Sequence, residues 1–219
     1  GSTCLHEHFI IKLPESLALD RVGPILCAGI TLYDPLKYWG ALEGKPMTIG
    51  IIGIGGLGTM GIKMAKAMGH RVVAISTSAH KKELAMGKGA DAFVASSDPE
   101  SMKAETNKIN LILNTVSGAH QVETYLPLLN TNGIIVQLGL NTSPHTLNQL
   151  SVVFRRKSIA GSLIGGIKNT EECLEFCAKH NILPDVQHIT ADKIDWAWEQ
   201  LLTDNKDGIR YVIDIQKSL

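Results

Sequence analysis

The sequence carries no surplus of charge: 21 acidic residues against 21 basic ones leave it formally neutral at pH 7. That balance argues against a nucleic-acid or membrane-surface partner. No apolar run approaches the roughly 20 residues of a membrane-spanning helix. The four cysteines, Cys4, Cys27, Cys173 and Cys177, are too thinly spread for a disulfide framework. A soluble, cytoplasmic protein is expected. A secretory leader is not expected, and Gly1-Ser2 reads as a remnant of expression. No internal repeat or low-complexity tract breaks the 219 residues, a length that holds one large domain, or one domain with part of another.

What the sequence does have is glycine in one place. In Ile49-Gly50-Ile51-Ile52-Gly53-Ile54-Gly55-Gly56-Leu57-Gly58 a short apolar run breaks into four glycines within six positions. A helix-like segment, Thr59 to Met68, follows. A buried strand feeding a tight turn and a helix N-terminus suits a dinucleotide diphosphate, since glycine lets N–H groups approach phosphate oxygens. Loops are glycine-rich anyway, so Gly53-x-Gly55-x-x-Gly58 alone is equally a structural turn. Its place between a strand pattern and a helix pattern favours the cofactor reading.

The surrounding pattern alternates. Thr48–Ile52, Arg71–Ile75, Ala92–Val94, Leu111–Asn114 and Ile134–Leu138 read as strands. Thr59–Met68, His80–Lys88 and Ala119–Leu129 read as helices between them, and Gly69 closes the first. Apolar strands joined by helices predict an α/β fold with a parallel sheet covered on both faces. Met60, Met64, Ala67 and Met68 have the spacing of a buried stripe, with Lys63 and Lys66 turned outward. The last third differs. Asn169 with Glu172 reads as a capping box opening a helix through His180. Asp192–Leu202 reads as a helix with Ile194, Ala197, Trp198, Leu201 and Leu202 on one face. Ile209, Tyr211, Ile213 and Ile215 alternate as a half-buried strand, and Phe9–Leu13 is also strand-like.

The glycines leave the choice of dinucleotide open. An NAD-binding fold places an acidic residue about 20 positions further on, against the ribose 2′-hydroxyl. Here the strand runs out in Ile75-Ser76-Thr77-Ser78-Ala79-His80-Lys81-Lys82, with no carboxylate before Glu83. Hydroxyls and lysines neutralise a 2′-phosphate that a carboxylate would repel, so NADP(H) is expected over NAD(H). Lysines near a helix start oppose the macrodipole, and an anion there removes that penalty. The plainer alternative is a solvated helix start.

Several passages together resemble the cinnamyl alcohol dehydrogenase-like branch of the zinc-dependent medium-chain dehydrogenases. They are His6–Pro14, Pro24-Ile25-Leu26-Cys27-Ala28-Gly29-Ile30-Thr31, Tyr33-x-Pro35-Leu36-Lys37-x-Trp39, Gly53–Gly58, Ser76-Thr77-Ser78, Gly161–Gly166 and Arg210–Asp214. The resemblance covers the chain from about Leu5 to Ile215. It implies a Rossmann-type doubly wound sheet over residues 20–163. Residues 1–19 would be a trailing strand of a second, GroES-like catalytic domain, and 164–219 a segment that completes it. The implied chemistry is reversible NADPH-linked reduction of small aldehydes to alcohols, with zinc as Lewis acid.

By the same resemblance Cys27 is one of three zinc ligands, and Thr31, one turn on, is a catalytic residue near the nicotinamide. Without it, Cys27 reads as an ordinary buried cysteine. The resemblance places Gly53, Gly55, Gly56, Leu57 and Gly58 at the cofactor, and Ser76, Thr77, Ser78 and Lys81 at its 2′-phosphate. Thr115, Val116, Ser117, Gly139, Ser162, Leu163 and Ile164 would line the groove from adenosine to nicotinamide. Arg210 would stand near the diphosphate, its alternative being a solvated strand-edge arginine. Thr146–Asn148 falls where the family pairs edge strands, so a homodimer is expected.

The family's catalytic domain, with the other zinc ligands and most of the substrate pocket, has no counterpart in this sequence. His6 and His8 would share one face of a strand, and Cys173 and Cys177 one face of a helix, yet two ligands do not make a metal site. The sequence therefore predicts NADP(H) binding, little turnover and no tightly held zinc. It also predicts exposed apolar surface on both flanks, with Trp196 a candidate for it or for packing against a neighbouring segment. Rival readings are a stand-alone NADP(H)-binding module, a zinc-free quinone reductase of the same superfamily and a methyltransferase with a similar glycine turn.

Overall fold

Six short apolar segments pair side by side to make the centre of the molecule. In the computed structural model, which describes residues 4–203 and 208–218, the strands are β1 (Thr48–Ile52), β2 (Arg71–Ser76), β3 (Ala92–Ala95), β4 (Ile109–Asn114), β5 (Leu129–Gln137) and β6 (Ser158–Gly161). They form one sheet in the order β3-β2-β1-β4-β5-β6, and every pairing is parallel. The helices are α1 (Leu19–Val22), α2 (Ala28–Tyr38), α3 (Gly56–Ala67), α4 (Lys82–Gly87), α5 (Pro99–Ala104), α6 (Gln149–Val153), α7 (Ile167–Lys179), α8 (Ile194–Thr203) and α9 (Ile215–Ser218). Two further strands, β7 (Val186–Ile189) and β8 (Arg210–Ile213), form a separate parallel pair.

Alternation along each strand sends side chains to two cores. Ile49, Ile51, Val72, Ala74, Leu111 and Leu113 pack with α2, α3 and α7 on one face. Ile52, Val73, Ile75 and Ile112 pack with the 3-10 segment Val122–Leu128 on the other. The doubly wound parallel sheet expected from the apolar runs is the one observed. Its order reverses between β1 and β4, the crevice where open α/β sheets take ligands at their carboxyl ends.

The flanks are joined to this body by specific contacts. Cys173, Leu174 and Cys177 of α7 are fully buried against the core. Lys63 Nζ donates to Leu183 O and Asp185 Oδ2, both at 2.8 Å. Lys88 meets the other Asp185 oxygen at 3.1 Å, and Arg21 Nη2 donates to Pro184 O at 2.7 Å. Lys63 is thus half-buried in an ion pair rather than turned to solvent, while Lys66 is exposed as expected.

Several local expectations are corrected. Phe9–Leu13 is no strand: Glu7–Phe9 forms a 3-10 turn, since no neighbouring strand accepts its backbone. His6 and His8 share that turn, with His8 N donating to His6 Nδ1 at 3.2 Å. Ala119–Leu129 is a 3-10 segment from Val122 with Pro127 inside it, and β5 begins at Leu129, five residues early. Proline has no N–H to give a continuing helix. Asn169 and Glu172 form no capping box. The N-cap is Gly166, and both side chains turn to α2, where Asn169 Nδ2 donates to Asp34 Oδ1 at 2.6 Å and Lys37 pairs with Glu172. The second flanking helix opens as a 3-10 turn, Ala191–Lys193, before α8. β8 ends at Ile213, and Ile215 starts α9.

Candidate functional site

The site begins where β1 runs out. Gly53 sits at φ +88°, a left-handed conformation that glycine adopts without strain, and its N–H donates to Ile75 O at 3.0 Å. A Cβ at Gly53 would lie 2.8 Å from both Thr115 Oγ1 and Val116 Cγ2. A Cβ at Gly58 would lie 1.8 Å from Gly53 O. These two glycines therefore close the turn on itself and on the end of β4. α3 starts at Gly56, earlier than the apolar spacing suggests, because the glycine turn itself supplies its first residues. Its N-cap, Gly55, offers no side chain to the free N–H groups of the first turn.

These residues open onto a crevice of about 450 Å³ lined by Gly53, Gly55, Gly56, Leu57, Thr115–Ser117, Leu201 and Arg210. A Cβ at Gly55 would meet nothing within 4 Å, so the space in front of it is open. A Cβ at Gly56 would lie 2.7 Å from Arg210 Nε, which is itself buried without a hydrogen-bond partner. A buried donor left unpaired is costly. A guanidinium donor beside an uncapped helix N-terminus is the donor set an anion requires. A diphosphate fits these residues. Leu201, on α8, escaped the sequence reading because it lies far along the chain from the glycines and looks like any helix leucine. Another cavity, about 410 Å³ beside Gln187, His188 and Trp196, has two lysines in its lining, Lys193 and Lys217, but each lies beside an aspartate. Trp196 stacks edge-on against Tyr211 at 5.5 Å and stays partly exposed.

The other expected residues surround the same carboxyl ends of the strands. Ser76 ends β2, next to β1, and its Oγ accepts from Ser78 N at 3.1 Å. Thr77 O accepts from Ser97 Oγ at 3.2 Å, and Lys81 ends the 3-10 turn Ala79–Lys81. These four are not among the residues lining the crevice of Gly53 and Arg210. Gly139 abuts that crevice from behind, since a Cβ there would lie 2.2 Å from Val116 O. Ser162, Leu163 and Ile164 follow β6, with Leu163 exposed and Ile164 at φ +55°. Thr31 is buried on α2, one turn beyond Cys27, whose thiol is exposed rather than buried. Among the described residues no group of three His, Cys, Asp or Glu side chains is placed to hold a metal ion.

Perturbed titration belongs to the scaffold. Burial, then the Glu172 charge, pushes the Tyr33 hydroxyl up to about 12. Burial lowers the Lys63 ammonium. Burial alone would raise Asp185, but hydrogen bonds from Lys63 and Lys88 outweigh it and hold the carboxyl below its ordinary value. The hydrogen bond with Cys177, then burial, raises the Cys173 thiol, and both cysteines are buried.

An open parallel sheet with a glycine turn at its switch point is the architecture of dinucleotide-binding α/β domains. The chain belongs to the zinc-binding dehydrogenase family, whose model matches residues 56–179. It is similar to alcohol dehydrogenase 9 of Catharanthus roseus, at 46% identity over 98% of this chain and 59% of that protein. Among solved structures, a cinnamyl alcohol dehydrogenase from Sorghum bicolor matches with a TM-score of 0.90 and 36% identity, over 97% of this chain and 60% of that one. The cinnamyl alcohol dehydrogenase of Helicobacter pylori, complexed with NADP(H), matches at 0.86 and 35% identity, again over 97% and 60%. The chain thus spans about three fifths of the length of these relatives.

Proposed function

We propose that the chain binds NADP(H) in the crevice after β1 and serves as the coenzyme-binding part of an oxidoreductase acting on small alcohols and aldehydes. The observation that carries this reading is the unpaired, buried Arg210 Nε beside the uncapped start of α3. Those two groups would hold the diphosphate, with Leu57 and Val116 as walls. Ser76, Thr77, Ser78 and Lys81 would hold the 2′-phosphate, and the absence of a carboxylate before Glu83 supports the phosphorylated coenzyme. Thr31 and the segment Ser162–Ile164 would face the nicotinamide end. The coenzyme, when bound, gives or accepts a hydride. The Helicobacter pylori relative's complex with NADP(H) supports the same choice.

The residues present do not fit a zinc centre, because no group of three His, Cys, Asp or Glu side chains that could hold a metal ion, with Cys27 or without it, is found among the described residues. No step is therefore assigned to a metal. The chain is expected to bind coenzyme while turning over alcohols and aldehydes negligibly and holding no zinc tightly. The same lack of a three-ligand group supports a second reading, a non-catalytic NADP(H)-binding module. Thr146–Asn148 is no strand, and its Thr146 and Asn148 N–H groups donate to Gln121 Oε1 and the Glu123 carboxylate, so pairing that makes the chain a homodimer would run through the β6 edge beside it.

Titrating NADPH and NADH against tryptophan fluorescence tests the reading. NADPH should bind at least about tenfold more tightly, the worth of one charge-assisted hydrogen bond. Equal affinity overturns the choice of coenzyme, and no binding of either overturns the site. Stoichiometric zinc in the purified chain, or rapid aldehyde reduction by it, overturns the expectation of an inactive fragment.

A further inference from the structure

A ring of side-chain hydrogen bonds stands behind the crevice loop Thr115–Ser117. Asn114, the last residue of β4, is fully buried. Val116 N donates to Asn114 Oδ1 at 3.3 Å, which fixes the orientation of that amide. Asn114 Nδ2 then donates to Gln137 Oε1 at 2.8 Å and to His120 Nε2 at 2.7 Å. His120 Nε2 must therefore be unprotonated, and the proton sits on Nδ1, donating to Gly118 O at 2.8 Å. Only this neutral tautomer closes the ring. Asn141 Nδ2, 3.5 Å from Nδ1, is a donor facing a donor and does not replace Gly118.

The loop held by this ring has little freedom elsewhere. The Thr115 hydroxyl donates to Ile52 O at 2.8 Å, and Val116 O lies where a Cβ on Gly139 would be 2.2 Å away. We propose that neutral His120 is a positioning residue that fixes the coenzyme-contacting loop through Asn114, and that a proton on Nε2 releases the loop and its ligand. This inference rests on the coenzyme reading above. A protonated Nε2 would face the Asn114 Nδ2 donor. Turning over the amides of Asn114 and Gln137 together would satisfy the imidazolium and pair Gln137 Nε2, which is buried without a partner in the neutral arrangement, but it would strand Gln137 Oε1 and, on the crevice wall, Val116 N–H. The titratable groups whose rings stand against His120 are Tyr125, at 6.2 Å, and His145, at 5.6 Å. A charged His145 would oppose protonation of His120.

The test is NADP+ affinity at pH 7.5 and 5.5 for the full chain and for His120→Gln and His145→Gln. In His120→Gln the new side-chain carbonyl still accepts from Asn114 but takes no proton. Titration of the ligand's own phosphate is common to all three proteins. The native chain should lose about tenfold more affinity than His120→Gln on acidification, the loss of one buried hydrogen bond. His145→Gln should keep the acid loss, at least as large as in the native chain, because it removes a cation that opposes protonation of His120. An equal loss in His120→Gln, or its disappearance in His145→Gln, overturns the inference. A native chain that binds no NADP+ at pH 7.5 overturns the coenzyme reading instead. Should His120→Gln melt early, NMR of the native chain decides: adding NADP+ at pH 5.5 should reduce the His120 imidazolium population, by the reciprocity of linked equilibria. An unchanged population overturns the inference.

Discussion

A methyl group added at Gly58 would lie 1.8 Å from Gly53 O, whereas one added at Gly55 would touch nothing within 4 Å. The two substitutions therefore separate folding from binding. Gly58→Ala should cost about 3 kcal/mol or more and lose coenzyme, because backbone must move to admit the methyl. Gly55→Ala should melt like the native chain yet bind NADPH about tenfold more weakly, the methyl standing where a phosphate oxygen approaches its N–H groups. Thermal melts with parallel NADPH titrations check both, and unchanged affinity in Gly55→Ala would show that the space is not used. These glycines were legible in the sequence because their spacing is local and their conformational need is intrinsic. The Asn114, His120 and Gln137 ring was not, since its members are ordinary residues that only the neighbouring of β4 and β5 brings together.

At the scale of elements, β1 to β5 were legible because their apolar runs are continuous, whereas β6, exposed along most of its length, carries no such run and was missed. The segments misread from sequence are those whose form depends on a partner. Phe9–Leu13 lacks a strand to pair with, and Asn169 and Glu172 find α2 rather than their own helix start. Replacing Asn169 with Ala should leave Asp34 Oδ1 without its donor while Lys37 keeps Glu172, destabilising the chain by about 1 kcal/mol without breaking α7, as chemical denaturation would read. Asp185 joins the flank to α3, and its folded pKa lies below the ordinary 3.8. A depressed carboxyl stabilises the fold above its unfolded pKa and loses that contribution as pH falls through the folded value. The melting temperature should therefore drop below about pH 4. Asp185→Asn should lower it at neutral pH and flatten the acid limb; an acid limb as steep as the native one would remove Asp185 from the account.

At the scale of the whole molecule, apolar surface collects on the flanks, as expected. Phe9, Ile10, Trp198 and Leu202 are each more than 60% exposed. A further apolar strip follows one of the two edges of the main sheet, β6, where Ile159 and the neighbouring Leu147 are both about 40% exposed. Unpaired sheet edges attract a second strand. The chain should sediment as a dimer at micromolar concentration, and Ile159→Lys should shift it to monomer. A native chain that sediments as monomer would leave the edge without a partner.

Leu201 of α8 and Arg210 of β8 both wall the crevice that the glycine turn opens. Whatever settles there presses on the last third of the chain as well as on the sheet. Amide hydrogens of α8 should then exchange with deuterium more slowly once NADPH is present, although that helix contributes only a leucine to the contact, and the C-terminal end of the protein would report occupancy at a distance from the turn that starts it.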